Sequence, residues 1–358
     1  MKKYFIYIVI IGLIVAFILP YVMPNSTSSE TPPFSFSFTE NLAVPHGQTL
    51  PIAFEVSEEI QKLELSLNGK KMNTWTAPSG KITYTLNTKD FQVGAYAIEM
   101  IAYKKDGTSY SDQRLVRILS DIVPEKWSLE ILASLPHLEM SFTQGLEFNE
   151  GELFEGTGDP NQAGETVIAE VDLKTGAIVR KMGLDASHFG EGITILGDEL
   201  YQLTWKNQKC LVYNKNDFKS IKEFTYTGEG WGLCNDGKSL IMSDGSERIY
   251  FRSPKTFDVE RTIEVYTDQG PIARLNELEF VDGLIYANIW TSNNIAVIDP
   301  ATGKVLATID ATQLVQEGKG NGEVLNGIAY NSATKKLYMT GKFWPKLFEI
   351  AVKKNVVS

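Results

Sequence analysis

QGLEF (144–148), EGITI (191–195), WGLCN (231–235), NELEF (276–280) and NGIAY (326–330) are five versions of one strand, starting 47, 40, 45 and 50 residues apart. Each leads, through a turn, to a second apolar run: LFEGTG (153–158), LYQLTW (200–205), LIMSDG (240–245), IYANIW (285–290) and LYMTGK (337–342). A third run follows: VIAEVDL (167–173), KCLVYN (209–214), RIYFRS (248–253), NIAVIDP (294–300) and KLFEIAV (346–352). Turns such as Lys174-Thr175-Gly176 and Ala301-Thr302-Gly303 then open a fourth, for example IVRKMG (178–183) and VLATID (305–310). Four short strands at a period of 40–50 residues make a propeller blade. The last unit stops after its third strand, and SLEILASLP (128–136), just upstream of the first, is its natural complement. Joining the ends of the chain in one sheet removes exposed strand edges. The expectation is an all-β fold, with a five-bladed β-propeller over 125–358.

Upstream, residues 34–120 alternate with the period of strands, in LPIAFEV (50–56), KLELSLNG (62–69), ITYTLN (82–87), YAIEMIAY (96–103) and RLVRIL (114–119). Short strands at this spacing predict an immunoglobulin-like or fibronectin-like β-sandwich. Before it, 25–33 (NSTSSETPP) reads as a polar linker. Lys2 and Lys3 precede an apolar run from Tyr4 to Leu19 that continues to Met23, long enough to span a bilayer as a transmembrane helix. With no small-x-small cleavage site after it, 1–24 is expected to be a membrane anchor or, if cleaved, a signal sequence. The positive flank stays inside, so the folded domains are expected outside the cytoplasm. A net charge of −10 without a basic cluster argues against nucleic acid as a partner. His46, His137 and His188 lie far apart, so no histidine-based metal site is expected. Cys210 and Cys234 sit in apolar strand contexts and read as buried thiols, although an oxidising compartment would permit a disulfide.

In a propeller, the start of the first strand and the end of the second meet at one mouth of the central channel. In register, this places Gln144, Glu191, Trp231, Asn276 and Asn326 in one ring, with Gly158, Trp205, Gly245, Trp290 and Lys342 beside it. Aromatic walls with a few convergent polar groups suit a small-molecule pocket. A glutamate desolvated by indoles holds its proton more tightly, which suits acid–base work near neutral pH, and a nearby lysine opposes that shift.

The strings FTQGLEF (142–148), FGEGITILGDELYQLTW (189–205), GEGWGL (228–233), LNELEF (275–280), YANIW (286–290), VLNGIAY (324–330) and TGKFWP (340–345) resemble the plant and bacterial glutaminyl-peptide cyclotransferases. The likeness covers about 125–352 and excludes the first 120 residues; Gly156 departs from a serine common in relatives. It implies conversion of an N-terminal glutamine of peptides or proteins to pyroglutamate with loss of ammonia, without a metal or other cofactor. It also implies Glu191 as the catalytic glutamate, with Lys342 and Asn276 in the pocket; on chemical grounds Glu191 is expected to act as general acid–base, with Lys342 and Asn276 as catalytic donors to the developing oxyanion. Gln144, Trp205, Trp231, Trp290 and Asn326 are then expected to bind substrate, with Glu155 as a further pocket residue. The alternative is a non-catalytic propeller that binds peptide termini or another small ligand in the same mouth.

Overall fold

The computed structural model describes residues 32–38, 42–161 and 166–354. The expected anchor, 1–24, lies outside the described residues, as does most of the linker. Among the described residues no helix is long and apolar enough to cross a membrane. The described residues are all-β apart from one short α-helix, Thr312–Gly318, and a single 3-10 turn at Thr88–Asp90.

The N-terminal unit consists of two sheets. One has three strands, in the order Phe34–Phe36, Thr49–Val56, Gly80–Asn87. The other has five, in the order Leu42–Pro45, Ser109–Leu119, Gly94–Tyr103, Lys62–Leu67, Lys70–Thr76. Strict alternation sends every second side chain inward, as in Thr49–Val56, where Leu50, Ile52, Phe54 and Val56 are buried. They meet Leu63, Leu65, Ile98, Met100 and Val116 of the other sheet in one core.

From Glu125 onward the architecture changes to four-stranded antiparallel meanders. Three are separate sheets in simple sequence order, starting at Thr143–Asn149, Gly190–Leu196 and Leu233–Asn235. A further meander runs from Leu275–Val281 to Val305–Asp310, and three more strands run from Leu325–Asn331 to Lys346–Lys353. Glu125–Pro136 completes this last group antiparallel to Lys346–Lys353, pairing Pro136 with Lys346 and Ser128 with Lys353. The same strand also pairs in parallel with Val305–Asp310 through Glu125 to Ser128. That second pairing, which the repeat does not foretell, fuses two meanders into an eight-stranded sheet.

The first strands of the meanders touch one another in order, and that of the last touches that of the first, so they close a ring. Their second residues explain how closely they approach. Gly145, Gly192 and Gly232 have no room for a side chain: a Cβ on Gly232 would lie 2.0 Å from the Asn276 carbonyl oxygen. The fifth glycine is replaced by Glu277, whose carboxyl bridges the ring. Its Oε1 accepts from the Leu146 N–H at 3.3 Å, and its Oε2 from the Ile328 N–H at 2.9 Å.

The two parts are joined by polar contacts. The Ala95 N–H donates to Glu264 Oε2 at 2.9 Å, and Lys304 Nζ donates to Asp121 Oδ1 at 2.6 Å. Cys210 and Cys234 are buried free thiols with pKa values pushed up by burial, so no disulfide links them.

Candidate active site

Four of the first strands begin with a break in pairing, between Thr143 and Gly145, Gly190 and Ile193, Leu275 and Leu278, and Leu325 and Ile328. Gln144, Glu191, Asn276 and Asn326 are among the residues that these bulges free from the ladder. A bulge bends its strand and re-aims a side chain, here repeatedly at the same end of the ring. Trp205, Trp290 and Lys342 each follow immediately after a second strand, those ending at Thr204, Ile289 and Gly341.

The polar floor is a chain of amides ending on a carboxyl. Asn326 Nδ2 donates to the Thr143 carbonyl at 2.9 Å and to Gln144 Oε1 at 3.3 Å. Gln144 Nε2 then donates to Glu191 Oε1 at 3.1 Å. Gln144, Glu191, Asn276, Asn326 and Lys342 are all buried. Burial raises the pKa of Glu191 well above 4.5; the positive charge of Lys342 counters this and the negative charge of Glu229 adds to it. Lys342 moves the opposite way, its pKa lowered by burial against the pull of Glu191 and Glu323. Both shifts favour the neutral forms, as expected where desolvation outweighs attraction between the two charges.

Around this floor the aromatics form a belt. The Trp290 and Trp231 rings meet edge-on at 5.7 Å, Trp205 meets Phe189 at 5.5 Å, and Phe189 meets Phe142 at 6.0 Å. Phe343 lies 5.1 Å from Phe142, and Lys342 Nζ sits 4.5 Å over the Phe142 ring. Trp290, 42% exposed, stands at the rim. Two glycines make space for these rings. A Cβ on Gly158 would strike the Phe189 ring at 2.3 Å, and one on Gly245, at φ +81°, would strike the Trp231 indole at 2.6 Å.

The sequence profile of the glutamine cyclotransferase family matches residues 104–352. The chain belongs to this family. It is 37% identical over 231 residues to the glutaminyl-peptide cyclotransferase of Arabidopsis thaliana, covering 63% of this chain and 71% of that protein. The crystal structure of the Myxococcus xanthus glutaminyl cyclase matches with a TM-score of 0.61 at 35% identity, covering 64% of this chain and 99% of that one. The strings that carried the resemblance are therefore those of a glutamine cyclotransferase, and the family match reaches back over the last strand of the N-terminal unit, Ser109–Leu119.

One expected pocket residue of this cyclotransferase is placed differently. The Glu155 carboxylate is occupied by His137 Nε2 at 3.2 Å, the Thr143 hydroxyl at 2.7 Å and the Ser141 hydroxyl at 3.2 Å. It lies in the second strand of the first meander, paired opposite Leu146 rather than at the strand end, and its partners leave it little capacity for substrate. Phe142, Phe189 and Glu229 lie within the matching strings but were not singled out, because repeat register alone does not show which flanking side chains turn toward the mouth. Also missed were the buried carboxyls Glu147, Glu277 and Glu279. The shared fourth position of QGLEF and NELEF signals two of them. Burial lifts Glu147 to about 8 and the other two well above the usual range.

Proposed function

We propose that this cyclotransferase converts the N-terminal glutamine of a peptide or protein to pyroglutamate with release of ammonia, using Glu191 as the proton carrier. The observation that carries this reading is a buried carboxyl held by Gln144 inside an aromatic mouth with a buried lysine nearby, in a chain of this family.

The reaction balances within one residue. The neutral α-amine nitrogen bonds to the side-chain carboxamide carbon, and its proton passes to the Glu191 carboxylate. Glu191 returns that proton to the departing nitrogen, the original C–N bond breaks, and ammonia leaves a five-membered lactam. An α-amine with a pKa of about 8 supplies enough neutral nucleophile at physiological pH. Because nucleophile and electrophile are tethered, folding the side chain into an attacking conformer does much of the work, and the Trp205, Trp231 and Trp290 walls suit that task. In this reading Lys342 and Asn276 supply the donors to the developing oxyanion. The Oδ1 atoms of Asn276 and Asn326 are buried with no hydrogen-bond donor among the described residues. Such an atom costs about 1–3 kcal/mol, and the N–H groups of a bound glutamine would relieve it.

The domain reading accompanies this proposal. Five four-stranded groups with a ring of first strands support a five-bladed propeller over 125–358, and two sheets over one core support an immunoglobulin-like sandwich at 34–120. The apolar run 4–23, with Lys2 and Lys3 before it, supports membrane attachment with both domains outside the cytoplasm, where exported peptides and proteins are the substrates.

The test is ammonia release from a short Gln-initiated peptide, by the parent chain and by Glu191→Gln, with and without a chelator. Release by the parent alone, unaffected by chelator, is expected. Equal release by both proteins removes Glu191 from the chemistry, and no release by a folded parent on several such peptides leaves the mouth a binding site.

A further inference from the structure

The aromatic belt has one join that is not ring against ring. Between Trp205, from the second meander, and Trp231, from the third, stands the carboxylate of Glu229. Its Oε2 accepts both indole protons, from Trp205 Nε1 at 2.7 Å and from Trp231 Nε1 at 3.0 Å. The backbone that follows it is held in place. The Gly230 N–H donates to the Trp205 carbonyl at 3.1 Å, the Trp231 N–H donates to the Ser243 carbonyl at 3.1 Å, and a Cβ on Gly230 would collide with the Tyr226 hydroxyl.

We propose that Glu229 is a positioning residue of the cyclisation, acting through Trp205 and Trp231: it sets the angle between two walls that shape the glutamine side chain. The inference rests on the cyclotransferase reading of the mouth. An indole has one polar hydrogen and no acceptor, so a single shared acceptor ties both ring orientations together across a blade boundary. Without it the indole protons lose their shared acceptor, and the rings are left to packing contacts such as Phe189 for Trp205 and Trp290 for Trp231. Among the described residues, Glu191 interacts electrostatically with Lys342, Glu229 and Tyr226, Lys342 also with Glu323, and Lys206 Nζ lies 4.0 Å over the Trp205 ring. Glu229 is thus a like charge that favours the protonated form of Glu191, opposing Lys342.

Two substitutions separate geometry from charge. Glu229→Ala removes both; Glu229→Gln keeps an amide oxygen able to accept two indole protons and removes the charge. In full-length protein, Glu229→Ala is expected to shift the indole N–H resonances of Trp205 and Trp231 while those of Trp75, Trp127 and Trp344 stay in place. On a Glu191→Gln background, where the peptide is not consumed, it should weaken the Kd of a Gln-initiated peptide by about 10–100-fold. Glu229→Gln should retain the two resonances, recover most of that affinity, and move the Glu191 limb of the kcat/KM profile, as distinct from the limb of the substrate α-amine near about 8, to lower pH, because Glu191 loses a proton more readily without its like-charged neighbour. Unmoved resonances with unchanged Kd in Glu229→Ala overturn the positioning role, and an unmoved limb in Glu229→Gln overturns the electrostatic one. If the parent releases no ammonia, the cyclotransferase reading fails, while the indole resonances and the peptide Kd still decide whether Glu229 positions the walls.

Discussion

Glu191 is costly to the fold for the same reason that it is useful in the reaction. A carboxyl whose pKa is raised in the folded state binds its proton more tightly there than in the unfolded chain. The associated loss of stability therefore begins as pH rises through the ordinary value of 4.5 and is complete once the folded value is passed. Glu191→Gln keeps an oxygen for the Gln144 donor and has no charge to desolvate. It should abolish turnover yet stabilise the protein by about 0.5–2 kcal/mol at neutral pH, read as a higher urea midpoint; an unchanged or lower midpoint would mean that Glu191 is not penalised by burial. The pH profile follows from the same two directions. Beside the limb that the substrate's own α-amine contributes near about 8, the acidic side of kcat/KM should carry a limb above 4.5, where Glu191 must lose its proton, and the basic limb should lie below 10.5, where Lys342 loses its own. Limbs at the ordinary values would place both groups in water.

At the scale of a strand, much of the site was legible because the repeat aligns equivalent positions: Gln144, Glu191, Asn276 and Asn326 occupy the start of the same strand in four units. The bulges that turn them outward were not legible, since a register shift depends on pairing with a neighbour rather than on the strand's own pattern. The role of Glu277 was hidden for a related reason. In NELEF it occupies the position that is glycine in the other four strands, and only the closed ring reveals that one side chain fills the gap. Its two oxygens serve two backbone donors in different strands. Glu277→Gln supplies one oxygen and an NH2 group, which would confront one of those N–H groups, donor against donor. The loss expected is about 1–3 kcal/mol in a denaturant titration, although the change is isosteric and removes a group that burial pushes toward neutrality. A neutral result would mean that the carboxyl is protonated and already presents a donor at that position.

For the whole molecule, closure depends on the strand Glu125–Pro136 and on the residue that follows it. SLEILASLP announced the strand, because the last unit visibly lacked one. His137 carried no such signal, as its partner Glu155 lies 18 residues away in the next meander. His137 Nδ1 is 2.7 Å from the Trp344 carbonyl oxygen, and its Nε2 faces Glu155, so the imidazole bridges the last group and the first. Burial lowers the His137 pKa, but the charge and hydrogen bond of Glu155 outweigh that and raise it; for Glu155, burial raises the value, and His137 with the two hydroxyls outweighs that and lowers it. Removing one partner, as in His137→Ala, strands a buried charge and should cost about 3–5 kcal/mol. The pH dependence isolates the pair when the parent is compared with His137→Gln/Glu155→Gln, in which neither group titrates. The Glu155 contribution is fully present above its unfolded value of 4.5 and is lost as pH falls through the lowered folded value. The His137 contribution is fully present below its unfolded value of 6.5 and is lost as pH rises through the raised folded value. The stability difference should therefore be greatest between 4.5 and 6.5 and decline on both sides. A difference that is flat across this range would show that His137 and Glu155 meet as neutral partners, and ring closure would then rest on the strand pairing alone.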